Sequence, residues 1–262
     1  MIESLNSPHV ARVKALIGSR GVKERRNTGQ FVAEGMQFAR EALLSHSGPQ
    51  IETLYLTVNG RKKLDEIADV SRLNVVDVSD EVMKEISETI TPQGILAICT
   101  IPKVEFSSIN LNGSRKFIYL SEVQDPGNAG TILRSADAFG MDAVITSPGS
   151  VDMYSPKVVR STAGSLWHIP VFESMELTTL LSELKNPECI VLSSHASESI
   201  VDFHASGPCV AIFGNEGAGT SSVELAVTAR TVAIPMSGQA ESLNLSAAAS
   251  IVMFTLSRSS LG

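Results

Sequence analysis

Apolar positions along this chain recur with two different periods, and the period switches from segment to segment. Apolar residues at helical spacing predict a helix over 10–17, and the polar, Arg- and Lys-rich stretch after it reads as a basic loop. Phe31-Val32-Ala33 reads as a short strand, and 35–44 as an amphipathic helix. The apolar runs 51–58, 74–78 and 95–100 are strands, with helices over 61–68 and 80–88 between them. The stretch 102–114 is rich in Pro, Ser, Asn and Gly, as a linker would be. Beyond it come a strand over 116–121, a helix over 129–139 with Gly140 as the glycine that ends it, and a strand over 143–145. A helix over 154–166 carries Pro156 in its first turn, and another helix spans 177–185. Strands over 190–192, 210–213 and 231–234 follow. The last helix, 243–256, is Ala-rich and apolar nearly all round, which predicts burial on several sides. Alternating β and α elements imply an α/β protein with a mostly parallel sheet. The pattern divides the chain into a small α/β domain over 1–101, the linker 102–114, and a larger α/β domain over 115–262.

Composition narrows the picture. With 43% hydrophobic and 19% charged residues, the 262-residue chain has an ordinary globular balance. No N-terminal stretch has signal-peptide character, and the longest apolar run, 247–256, is far short of the ~20 residues that span a bilayer. Neither finding points to a membrane. Cys99, Cys189 and Cys209 are odd in number, far apart and set in apolar surroundings, which reads as reduced core thiols in the cytoplasm, and no pair has metal-ligand spacing. The net charge of −7 argues against a protein that grips nucleic acid over its whole surface. The charge is uneven, however. Residues 1–40 hold seven Lys/Arg against three acids, whereas 107–262 hold eight against fourteen. A local basic patch on an acidic body still attracts phosphates, because salt screens charge beyond about 8–10 Å. Arg20, Lys23, Arg25 and Arg26 are the candidates, with a solvated helix face and loop as the plain alternative.

Three stretches place small or polar residues just after an apolar strand, where the loops of an open α/β sheet bind ligands. The first is Asp125-Pro126-Gly127-Asn128-Ala129-Gly130, a turn in which Asn128 can cap the helix that carries Arg134. An Arg beside a ligand crevice suits a phosphate or a growing oxyanion. The second is Phe213-Gly214-Asn215-Glu216-Gly217, whose glycines allow close approach of backbone to ligand. The third runs from Ile234-Pro235-Met236 to Glu241-Ser242-Leu243-Asn244-Leu245-Ser246 and opens directly into the last helix. Singly, each also fits a capped helix or a plain strand-to-helix turn. No G-x-G-x-x-G follows a first strand, no G-x-S-x-G elbow occurs, and the five histidines form no evident pattern. That sets aside a dinucleotide-binding enzyme and a triad hydrolase.

Taken together, Asn128 and Arg134, then Glu216, then Asn244 and Ser246, in this order and at these intervals, resemble the signature of the SpoU/TrmH family of RNA 2′-O-ribose methyltransferases in the SPOUT superfamily. The resemblance covers essentially the whole chain: 25–35 resembles the start of the family's N-terminal substrate-binding domain, and 157–165 a family stretch of less defined role. It implies a C-terminal domain with a deep trefoil knot and a homodimer formed through that domain. It implies S-adenosylmethionine as cofactor, held at Phe213, Gly214, Asn215, Gly217, Ile234, Met236, Ser242 and Leu243, and no metal. Arg134, Asn128, Glu216, Asn244 and Ser246 become the catalytic set, and Arg20, Lys23, Arg25 and Arg26 become RNA contacts. The implied substrate is structured RNA, ribosomal rather than transfer RNA, with a non-catalytic RNA-binding or ribosome-assembly protein on the same fold as the alternative.

Overall fold

The computed structural model describes residues 1–45, 47–112, 115–185, 187–194, 196–214 and 230–258. Its chain forms two compact units, Met1–Lys103 with Asp152–His168, and Val104–Val151 with Ile169–Gly262.

The N-terminal unit opens with α1 (Pro8–Ile17), where Pro8 starts the helix and the Ser7 hydroxyl accepts from the Val10 N–H at 3.3 Å. The segment read as a basic loop is a helix, α2 (Gly21–Thr28), closed by Gly29 in the left-handed conformation at φ 66°. Its Arg, Lys and Glu residues are good helix formers but carry no apolar stripe, so periodicity gives no signal there. There follow β1 (Gln30–Glu34), α3 (Met36–Leu44), β2 (Ile51–Leu56), α4 (Val58–Asp65), β3 (Val75–Asp77), α5 (Asp80–Ile86) and β4 (Ile95–Thr100). The sheet order is β1-β4-β2-β3, antiparallel except for the parallel pair β2/β3. Central β4 is buried on both faces from Ile95 to Cys99, with Val10, Val13, Leu16, Val82 and Met83 packed on one side.

The second unit is a seven-stranded sheet in the order β7-β6-β5-β10-β8-β11-β9, and every described strand pair in it is parallel. Its elements begin with β5 (Lys116–Leu120), α6 (Pro126–Ala138) and β6 (Ala143–Thr146). The chain then passes through α7 (Pro156–Ser161), which belongs to the N-terminal unit, and returns as β7 (Val171–Phe172), α8 (Leu177–Leu184), β8 (Glu188–Leu192), β9 (Glu198–Ser199), β10 (Cys209–Phe213), β11 (Arg230–Ala233) and α9 (Leu245–Arg258). One sheet face packs Phe117, Tyr119, Ile145, Leu180 and Val191 into a core that also takes Phe106 from the stretch read as linker. The other is covered by α6 and α9, which meet through Ser135 and Ser250 hydroxyls 2.8 Å apart. At the base of β5, the buried Lys116 ammonium donates to the Leu256 carbonyl near the C-terminal end of α9, and burial pushes its pKa down.

Two expectations change here. The helix read over 154–166 is broken. α7 ends at Ser161, and Ala163 (φ 49°) and Gly164 (φ 97°) turn the chain into a short 3-10 turn, Ser165–Trp167. That turn seats Trp167 against Phe31 and Phe38, with its indole N–H donating to the Pro49 carbonyl at 2.8 Å. Arg25, read as an RNA contact, is only 4% exposed. Its Nε and Nη2 donate to Asp152 Oδ2 at 2.8 and 2.7 Å, and its Nη1 donates to the Leu16 carbonyl. Gly21 makes room for this: a Cβ there would stand 2.4 Å from the Leu16 carbonyl oxygen and 2.6 Å from Arg25 Nη1. Arg25 therefore holds the segment Asp152–His168 to α2 and α1.

Removing one member of a buried pair strands the other charge. Arg25→Ala is expected to destabilise the N-terminal unit by about 3–5 kcal/mol. The midpoint of urea unfolding, followed by the fluorescence of Trp167, reads this out; a midpoint equal to wild type would show the pair to be idle.

Candidate active site at the carboxyl edge of the parallel sheet

A cavity of about 550 Å³ opens at the carboxyl ends of β8, β10 and β11. Parallel strands run out together at this edge, and the loops that leave them form its walls. After β10 come Phe213 and Gly214; after β11, Ile234 and Met236; ahead of α9, Glu241 to Leu245. Of the residues read as cofactor contacts, Phe213, Gly214, Ile234, Met236, Ser242 and Leu243 all line this cavity. Asn215 and Gly217 lie outside the described residues, as does Glu216. The volume falls within the ~300–1,000 Å³ of small-molecule sites, and the lining mixes apolar side chains with a few polar groups, as such sites do.

Sequence reading missed one wall. Leu192, which ends β8, and Ser193 and Ser194 after it line the cavity, and Ala248 of α9 forms part of its lining. A strand followed by Ser-Ser was visible in the sequence, but it carries no motif.

The first and third stretches meet beside this cavity. Asp125, rather than Asn128, caps α6: its Oδ1 accepts from the Asn128 N–H at 2.7 Å, and Pro126 occupies the first helical position. The Asn128 side chain, 8% exposed, accepts from Asn244 Nδ2 at 3.1 Å. Asn244 in turn starts α9. Its Oδ1 accepts from the Ser246 N–H at 2.9 Å, the Ala247 N–H at 3.3 Å and the Ser246 hydroxyl at 2.6 Å. Asn128, Asn244 and Ser246 thus form one hydrogen-bonded cluster across 116 residues of sequence. Arg134 lies further along α6 and is exposed to solvent.

α9 departs from its expected all-round burial. Ala248, Ala249, Val252, Met253 and Leu256 are buried, but Ile251 (37%) and Phe254 (50%) face outward, with Phe139 edge-on to Phe254 at 5.8 Å. In the N-terminal unit, Arg20, Lys23 and Arg26 are exposed and border a depression of about 350 Å³ together with Asn27. This is the basic patch with Arg25 removed from it.

Comparison with known proteins agrees with this geometry. The model of the SpoU rRNA Methylase family matches residues 115–254, and that of the MRM3-like substrate binding domain matches residues 8–97. The chain is 34% identical over 237 residues to the 23S rRNA (guanosine(2553)-2'-O)-methyltransferase RlmP of Bacillus subtilis (strain 168), covering 89% of this chain and 91% of that one. It is 28% identical over 253 residues to the 23S rRNA (uridine(2479)-2'-O)-methyltransferase of Streptomyces viridochromogenes, covering 92% and 86%. Among solved structures, the AdoMet-bound rRNA methyltransferase from Sinorhizobium meliloti superposes with a TM-score of 0.84 at 29% identity, over 100% of this chain and 98% of that one.

Asn244 serves two neighbours with two different atoms, which gives a graded test. Asn244→Ala removes both the cap and the bond to Asn128 and is expected to cost about 1–3 kcal/mol. Asn244→Asp retains the capping oxygen but loses the donor, so its loss is smaller. Thermal unfolding of the three proteins gives the order wild type, Asn244→Asp, Asn244→Ala; equal melting temperatures would remove this cluster from the account of the fold.

Proposed function

The chain belongs to the SpoU rRNA methylase family, and we propose that it transfers a methyl group from S-adenosylmethionine to the 2′-hydroxyl of one ribose in ribosomal RNA. The observation that carries this reading is the cavity at the sheet edge, walled by the described parts of all the predicted cofactor loops. Ribosomal RNA is favoured over transfer RNA because two of the relatives that align along most of the chain are named for 23S rRNA, and because a substrate-binding domain precedes the methylase match.

S-adenosylmethionine brings an electrophilic methyl group on its sulfonium. Phe213, Leu243, Ile234 and Met236 offer it apolar contact, and Ser242, Ser193 and backbone groups after β10 offer hydrogen bonds. A ribose hydroxyl is a weak nucleophile at neutral pH. The site must align it and offset the negative charge that grows on its oxygen. We assign that work to Arg134. It supplies a positive charge and a hydrogen-bond donor there, and the hydroxyl proton leaves to solvent as the O–CH3 bond forms and the S–CH3 bond breaks. Asn128 positions the ribose or Arg134, Asn244 and Ser246 hold the third loop, and Glu216 orients Arg134 or its own loop.

RNA docks on 1–101 through Arg20, Lys23 and Arg26, while 115–262 carries the chemistry. The outward apolar residues Ile251 and Phe254, together with Leu243 at 38% exposure, support a homodimer through the C-terminal domain. The same reading includes the family's trefoil knot in that domain and a cytoplasmic location. Free, buried cysteines are consistent with the latter, and among the described residues no helix is long and apolar enough to cross a membrane.

Arg134→Ala is expected to lower transfer of labelled methyl to 23S rRNA by about 100- to 1,000-fold, the scale of one lost oxyanion donor. Calorimetric affinity for S-adenosylmethionine should stay near wild type. Wild-type transfer by this variant would sink the assignment. For RNA docking, the triple variant Arg20→Ala, Lys23→Ala, Arg26→Ala should flatten the slope of log affinity against log salt by about 2–3. An unchanged slope would move the RNA surface elsewhere.

A further inference from the structure

A second cavity, of about 340 Å³, lies wholly within the N-terminal unit and plays no part in the chemistry above. Its walls come from three places: the junction of β1 and α3, the loop before β4, and the turn after α7. The first two are tied together. The Glu34 carboxylate accepts from the Glu88 N–H at 3.2 Å and from the Thr89 hydroxyl. Gln93 Oε1 accepts from the Met36 N–H at 2.8 Å, and so supplies the cap that Gly35 cannot give α3. The third wall is the strained one. Ala163 and Gly164 stand in the left-handed region one after the other, which for the alanine costs about 1 kcal/mol or more. Gly164 also packs so closely that a Cβ there would meet Glu41 Cγ at 2.5 Å.

That turn stops α7 one residue after Arg160 and leaves Arg160 exposed in the cavity lining. Its guanidinium pairs with no carboxylate among the described residues, although Glu34 lines the same cavity. Glu34 is held to the loop before β4 by its two neutral donors. The other polar groups at the opening, on Gln37, Thr91 and Gln93, are neutral. Beside them Ile90 is 93% exposed. Besides Glu34, an outward cation, neutral donors and acceptors, and an exposed apolar residue between the lining residues Thr89 and Thr91 in the chain correspond to the three parts of a nucleotide: phosphate, base edge and base face.

We propose that this cavity is a nucleotide subsite, taking one unpaired residue of the RNA, with its phosphate on Arg160, its base edge on Gln37 and Thr91, and Ile90 against the base face. Proteins that read RNA do so mainly at unpaired nucleotides splayed out of the helix. The inference rests on the RNA methylation reading and deepens it. It also gives a role to Lys157–Ser165, which falls inside the methylase family match yet folds with the substrate-binding unit. Recognition of RNA by this unit is thus completed by a segment encoded some 60 residues downstream of it.

The test uses the full chain with 23S rRNA transcribed with 4-thiouridine, photocrosslinked and mapped by mass spectrometry, alongside labelled-methyl kinetics. Crosslinks are expected on peptides containing Thr89–Gln93 and Lys157–Gly164. Arg160→Ala should raise KM for the RNA about tenfold, the effect of one lost charge-assisted contact, with kcat nearly unchanged. Arg160→Lys should recover most of the loss. Arg160 is exposed, so folding should survive, which circular dichroism checks. Crosslinks confined to α2 peptides, or an unchanged KM in Arg160→Ala, would overturn the subsite. Failure of the methylation reading appears separately, as absent methyl transfer by the wild-type protein, while the crosslink map still decides the subsite.

Discussion

One side-chain amide ties together the two helix starts beside the cavity. Asn244 accepts backbone N–H groups at the start of α9 with its oxygen and donates to Asn128 with its nitrogen. An amide does both: a carboxylate has no donor for the Asn128 oxygen, and a hydroxyl is too short to cap and reach at once. Asp125 caps α6, and the Asn128 side chain receives this bond. Two helix starts are thereby fixed to each other at the mouth of the cavity. A methyl-transfer site needs this, since an ångström of slack between acceptor and donor loops is costly in rate. The loop between Met236 and Asn244 is exposed and built from small polar residues, so its position depends on such anchors at its ends.

The N-terminal unit shows the same economy with charge instead of amides. Arg25 is one of several basic residues in a short helix, and nothing in its neighbours distinguishes it. Yet it alone turns inward, because Gly21 leaves the space for its guanidinium beside the Leu16 carbonyl and Asp152 supplies the counter-charge. A buried guanidinium without both partners would be untenable. Arg20, Lys23 and Arg26 remain outside and carry the patch's field.

Much of the fold was legible because hydrophobic period and turn chemistry agree along most of the chain. β4 and α8 sit where alternation and helical spacing put them, and Gly140 ends α6 at φ 66° as a terminal glycine should. Three features were not legible, each for a physical reason. α2 has helix-forming residues without an apolar stripe, so it offers no periodic signal. The 154–166 region is apolar at helical spacing throughout, and the break, with Ala163 and Gly164 at positive φ, goes with tertiary packing of Trp167 that periodicity does not carry. Asn128 and Asp125 are both good caps, and sequence alone does not say which lies one turn too far into the helix; Pro126, favoured at the first helical position, was the available clue. Two of the three stretches singled out by composition line the cavity over their described residues, but the wall at the end of β8 was not foreseen, since Leu192-Ser193-Ser194 has no residue whose chemistry demands attention.

Electrostatics reconcile a net charge of −7 with an RNA substrate. Phosphate attraction acts within about a Debye length, 8–10 Å at physiological salt, so a distant acidic surface does not cancel a local cationic cluster. It does weaken binding wherever such a cluster is missing. Non-specific affinity for RNA is almost wholly a matter of released counterions, and an acidic body keeps that contribution small. On the proposed reading, binding strength resides in the few places where exposed cations stand beside shaped surface: Arg20, Lys23 and Arg26 at α2, and Arg160 at its cavity. A protein that must select one ribose among thousands gains more from such sparse contacts than from a uniformly basic face, because each contact then depends on the local shape of the RNA as well as on its charge.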